Sequence, residues 1–262
     1  MGGYKENGKR YMKYKTKKNY WQQDITKKEY VQAAFIGIIL IGSVSYLFYG
    51  TILYTILLSP YLIRYFKAWE TQILRKKKLA FQLQFKEAIQ SVSAALNVGY
   101  SVENAIREAW KDLQLLYKKD EKIIREFAYM VRQLDMNIPV EQILKEFSQR
   151  TEDEDVRLFI TVFSMAKRSG GDMIQIIRNA VNQIGEKIDV KREIETMMTA
   201  KKYEFRIMSM IPFGMICYLK VGFPEFMEVL YGNLLGVMIM SICLFIYVAA
   251  YELGKRIVEI EV

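Results

Sequence analysis

Reactive side chains at workable spacing are scarce in this chain. Its 262 residues include no histidine. That removes His general bases, Ser-His and Cys-His nucleophile pairs, and the commonest metal ligand. The two cysteines, Cys217 and Cys243, lie in apolar runs and read as small hydrophobes, without the spacing of a disulfide framework or a zinc site. No glycine-rich phosphate loop ending in Lys-Ser/Thr occurs, and "SGGD" (169–172) lacks the lysine. The acidic run "TEDED" (151–155) could coordinate a divalent cation, but acids at a helix start more simply stabilise the positive end of the helix dipole. Glu225 and Glu228 are the other carboxylates that could do chemistry, and they read as solvated loop acids. The basic cluster Arg75, Lys76, Lys77 and Lys78 could meet nucleic acid or anionic lipid. Its place just after an apolar stretch favours lipid headgroups and topology control, so no nucleic-acid partner is expected. No set of residues reads as catalytic, and no metal or cofactor is called for.

The elements explain why. Hydrophobic residues make up 52% and charged residues 26%, which implies segregation into apolar and charged blocks, and only four prolines favours helix. Residues 31–50 contain twenty residues without a charge, the length a bilayer core of about 30 Å requires. Residues 51–66 follow with one charge, Arg64. A straight helix over 31–66 would run about 54 Å, too long for one crossing. The chain is therefore expected to turn at Tyr49-Gly50-Thr51, kink at Pro60, and let Arg64 snorkel to the headgroups. The far end repeats the pattern: 207–223 is apolar except for Lys220, and 232–251 is uncharged. Lys220 reads as snorkelling to the outer interface, or as a functional intramembrane group.

Charge sets the orientation. The formal net charge is +9. Residues 1–30 hold nine Lys/Arg against three acids, while the turns at 49–51 and 224–231 hold no Lys or Arg. By the positive-inside rule both termini lie in the cytoplasm. The expected order is a basic tail (1–30), a membrane hairpin (31–66), a cytoplasmic helical block (67–206), a second hairpin (207–251) and a short tail (252–262). Trp21 and Trp69 suit membrane interfaces by their amphipathic rings.

The middle shows helical periodicity throughout. Phe81, Phe85, Ala88, Ile89, Val92, Ala95 and Leu96 share a face, and Gly99 ends that helix with Ser101 capping the next. The second helix carries Val102, Ala105, Ile106, Ala109, Leu113 and Leu116. A third spans about 119–135. Asn137 then caps a fourth, 138–149, with Pro139 in its first turn. Thr151 and Glu154 form a capping-box pattern before Val156, Phe159, Ile160 and Phe163. Gly170 and Gly171 break the fifth helix, and Asp172 with Gln175 opens a sixth through Met173, Ile176, Ile177, Ala180, Ile184 and Ile188. That helix runs to about 204 and feeds the third span. The fold class is all-α: an integral membrane protein with about four transmembrane helices in two hairpins, flanking a cytoplasmic antiparallel six-helix bundle.

The stretches "LQFKEAIQSVSAALNVGYSVENAIREA" (83–109) and "IPVEQILKEFSQRTEDEDVRLFITVFSMAKRSGGDMIQIIRNAV" (138–181) resemble the two halves of the type II secretion F domain, with the match covering about 83–205. One copy with paired spans on both sides resembles the single-copy, TadB-like branch of Tad/Flp pilus assembly. The resemblance implies a non-enzymatic platform protein of the bacterial plasma (inner) membrane. Implied partners are a cytoplasmic hexameric secretion ATPase, pilin subunits, membrane lipid, and a second copy or a TadC-like relative. A small transporter or channel component, built around Lys220, is the alternative.

Overall fold

The computed structural model describes residues 20–21, 25, 27–51, 55–169 and 172–258. All regular structure among them is helical, with no strands. The helices are α1 (Lys27–Tyr49), α2 (Thr55–Asn97), α3 (Val102–Leu116), α4 (Lys122–Asp135), α5 (Val140–Thr151), α6 (Glu154–Ser169), α7 (Met173–Gly222), α8 (Pro224–Gly232) and α9 (Leu234–Val258). The chain divides into two compact units, with boundaries before Lys27, before Ile73 and after Ile188. α2 and α7 are unbroken helices of 43 and 50 residues that contribute to both units.

The first unit is built on one apolar core. The second half of α2, all of α3 to α6 and the first part of α7 supply its buried residues. Phe85 packs stacked on Phe81 and at tilted or edge geometry on Phe147 and Phe159, with ring centroids 6.0–6.4 Å apart. The face from Phe81 to Leu96 is buried at every position named from the sequence. Two positions depart from the expected faces. Leu116 is 64% exposed because α3 ends there and its last turn projects past the core, and Ile176 is 37% exposed while Ile177 beside it is buried.

Caps follow local chemistry. Gly99 takes φ +94°, which a side chain would resist, and Tyr100 N donates to Ala95 O at 3.1 Å. Ser101 Oγ accepts from Asn104 N at 3.3 Å, satisfying one of the open donors of the first turn of α3. Replacing Ser101 with alanine should cost about 1 kcal/mol, measurable as a shift in the denaturation midpoint with an unchanged slope. Asp172 Oδ1 accepts from Gln175 N at 3.1 Å as α7 begins. Gly170 and Gly171 lie outside the described residues. Asn137 does not cap the fourth helix. It takes φ +58° as the chain leaves α4, and Pro139 stands at the N-cap position of α5.

Thr151 is not the capping residue of α6 either. α5 runs through Thr151, whose Oγ1 donates back to Phe147 O at 3.0 Å, and Glu152 turns the chain with φ +47°. The cap falls to Asp153, whose Oδ1 accepts from Asp155 N and Val156 N at 3.0 and 3.4 Å. Thr151 is held inside α5, and a cap must stand just outside the helix it opens, so the first side chain beyond the left-handed turn takes the role. Trp21 also departs from expectation: it packs at the edge of the core, at 5.2 Å from the Phe81 ring, instead of marking an interface.

The second unit exposes apolar surface along its helices. Phe35, Ile36, Ile39 and Leu40 of α1, Met208, Ile211 and Met215 of α7, and Ile239, Ile242, Phe245 and Ile246 of α9 are all exposed, a pattern that suits helices set in a bilayer. Among the described residues, three helices are long and apolar enough to cross a membrane: α1, α7 and α9. Residues 55–66 open α2, and they carry Pro60 and Arg64. Arg64 reaches Glu252 of α9 at 3.2 Å instead of being left to the headgroups alone. A small satellite core joins Phe48 and Tyr49 to Met240 and Leu244.

Polar contacts close the end of α1. Gly50 turns the chain at φ +67°. Lys220 Nζ donates to Tyr46 O at 3.0 Å and sits 3.3 Å from the Tyr46 ring centroid. Tyr231 OH donates to Leu47 O at 2.5 Å, and Tyr49 OH meets Ser241 Oγ at 3.0 Å. The last carbonyls of α1 thus receive donors from α7 and α8, and a cation at a helix C-terminus is favoured by the dipole.

Candidate coupling site

The best-built polar site forms where α5 hands over to α6. Asp153 and Asp155 are both fully buried, and Gln82 of α2 is 6% exposed. Burying two carboxylates is costly unless each is paired and hydrogen-bonded. Here each is. Gln82 Nε2 donates to Asp153 Oδ2 and to Asp155 Oδ2, at 3.0 Å each. Lys78 Nζ, one helical turn from Gln82, lies 3.7 Å from Asp153 Oδ2. Lys187 Nζ of α7 lies 2.7 Å from Asp155 Oδ1 and 3.7 Å from Glu154 Oε1.

The local sequence explains the geometry. The left-handed turn at Glu152 points Asp153 at the open N–H groups of α6, and the Gln82 amide bridges it to Asp155 in that first turn. On α2, Lys78 and Gln82 stand four apart and face the same way, next to the core residue Phe81. One acidic corner therefore grips two helices: α2 five and nine residues past Ile73, where the first unit resumes, and α7 at Lys187, just before the boundary after Ile188. These are the two helices that run on, unbroken, into apolar sequence.

Hydrogen bonding to Asp155, aided by the charges of Asp155, Glu154 and Asp153 and opposed by desolvation, raises the Lys187 pKa above its ordinary value of 10.5. A raised folded-state pKa means the contact stabilises fully below the unfolded pKa and is lost as pH rises through the folded one. The thermal stability gap between wild type and Lys187→Met should therefore stay constant from neutral pH to about pH 10 and close at higher pH. Melting curves of both proteins over that range check it.

Of the residues singled out from the sequence, the acidic run 151–155 takes part, together with Lys78. Arg75, Lys76 and Lys77 precede it on α2 outside the corner, and Gly99, Ser101 and Asp172 shape other turns. The sequence shows the run 151–155 as acidic but not its partners. Gln82, set between the basic run 75–78 and Gln84, carries no local mark that it is one of them. The arrangement holds no nucleophile beside a base, and no group of three or more His, Cys, Asp or Glu able to hold a metal occurs among the described residues. The carboxylates face two lysines and an amide, which makes the site a clamp between helices.

Comparison with known proteins agrees with this architecture. Neither the curated proteins nor the solved structures give a match. A family model, type II secretion system (T2SS) protein F, matches residues 88–219. That range begins within α2, includes all of α3 to α6 with Asp153 and Asp155, and ends in the last turn of α7. The match spans half of the chain, and the chain belongs to the type II secretion system protein F family.

Proposed function

We propose that the chain is a platform of a Tad/Flp-type pilus-assembly machine, in which the water-facing helical block takes up work from a cytoplasmic hexameric secretion ATPase and passes it to the membrane helices. Members of its family are non-enzymatic inner-membrane platform proteins of secretion and pilus assembly. The observation that carries the finer reading is the clamp at Asp153 and Asp155 on both α2 and α7. A displacement of the α5–α6 corner moves two stiff helices together, and each continues into apolar sequence.

In this reading 31–66 and 207–251 are membrane hairpins, 67–206 is cytoplasmic, and the tails 1–30 and 252–262 are cytoplasmic too. Arg75, Lys76 and Lys77 lie at anionic headgroups, Gly99, Ser101, Gly170, Gly171 and Asp172 set the helix corners, and pilin subunits are the cargo. The platform works with a second copy or a TadC-like relative. The transport alternative rested on Lys220, whose ammonium is engaged by the Tyr46 carbonyl and ring as a cap on α1.

The test is co-purification of the full chain with the secretion ATPase of its own system, with pilus assembly scored in cells carrying Asp155→Ala plus Lys187→Ala at normal membrane levels. Association with the motor and loss of assembly in the double variant support the reading. Normal assembly in that variant, or no association with the motor, refutes it.

A further inference from the structure

A pair of aromatic residues ahead of α1 docks on the same corner from a third direction. Trp21 Nε1 donates to Thr151 O at 3.1 Å, capping the last carbonyl of α5. Its ring meets Phe81 of α2 edge-on. Tyr20 OH donates to Glu126 Oε1 at 3.0 Å, and Arg150 holds the other carboxylate oxygen of Glu126 at 2.7 Å. Lys122 Nζ donates to Tyr20 O at 2.9 Å while lying 3.9 and 4.2 Å from the Tyr20 and Trp21 ring centroids. The seat is thus specific for an aromatic pair: a cation under both faces, one carboxylate for the phenol, one helix-end carbonyl for the indole.

We propose that Tyr20-Trp21 is a releasable strap on the α5–α6 corner, and that its docking stiffens the turn 151–155 that grips α2 and α7. The physics favours a strap over a fixed element. Trp21 is half-buried at the rim of the core, and its contacts must offset the conformational entropy of ordering an N-terminal segment. Weak local docking of this kind is where proteins place their switches. With the strap seated, three connections converge on 151–155. With the strap released, the α2 and α7 grips remain and the Thr151 carbonyl loses its indole donor.

The experiment uses the full chain in lipid nanodiscs with Trp69→Phe and Trp110→Phe, leaving Trp21 as the single tryptophan of the three. Acrylamide quenching and fluorescence lifetimes then report the strap alone. Two lifetimes are expected, the shielded one falling in amplitude in Lys122→Ala and as salt is raised from about 0.05 to 1 M, because cation–ring attraction is screened. Amide exchange on the unsubstituted protein provides an independent reading: Trp21→Ala should speed exchange at 151–156 at least several-fold, leaving α3 unchanged. Quenching of Trp21 at the rate of free indole, a single lifetime insensitive to salt and to Lys122→Ala, or unchanged exchange at 151–156 in Trp21→Ala would each overturn the proposal.

Discussion

Phe85→Ala should lower the unfolding free energy of the helical block by about 4 kcal/mol, within the range found when a fully buried phenylalanine is truncated. Phe85 is 1% exposed and its ring touches three others: Phe81 on its own helix, Phe147 on α5 and Phe159 on α6. Removing it takes apolar surface out of the core and leaves a cavity that three large, mutually braced rings cannot collapse to fill. Because Phe85 joins α2 to both α5 and α6, relaxation would have to shift backbones. Chemical denaturation of the purified protein, followed by far-ultraviolet dichroism, measures the loss. Leu115→Ala serves as the control, because Leu115 is 87% exposed and its truncation should change stability by less than about 0.5 kcal/mol.

Asp153→Ala should cost about 3 kcal/mol, by a different route. The substitution removes the N-cap of α6, worth about 1 kcal/mol alone. It also leaves the buried Gln82 amide with one acceptor in place of two and takes the counter-charge from Lys78. Breaking a buried polar pair from one side costs about 3–5 kcal/mol, because the remaining partner keeps its desolvation penalty. The outcome falls at the lower end because Lys78 can turn to water. Asp153→Asn separates the contributions. Asparagine caps a helix as well as aspartate, so the backbone bonds to Asp155 and Val156 persist. Its amide, however, would face the Gln82 amide donor to donor, and the charge is gone. A cost of about 1–2 kcal/mol is expected, clearly less than that of alanine. Equal losses for the two variants would show that capping contributes nothing and charge everything.

The all-helical class, the burial of the Phe81–Leu96 face, and the long apolar runs follow from periodicity and composition, because each depends on which residues a helix presents to one side. The α2–α3 turn followed for a similar reason: Gly99 and Ser101 act within their own few residues. The same local reasoning misplaced the α6 cap at Thr151. A capping residue must stand just outside the helix it opens, and α5 continues through Thr151, so the role passes to Asp153.

Tertiary structure decided the rest. That Asp153 and Asp155 are buried, that Gln82 bridges them, and that Lys187 answers Asp155 from 32 residues further along depend on three helices meeting at one point. No local pattern encodes that meeting. Charge signs in the sequence told which residues could pair, and Trp21 advertised only that it was amphipathic. A residue's partners are set by where distant segments of the chain pass, so the helices were legible in the amino-acid order, while the clamp that joins them became visible only once they were packed.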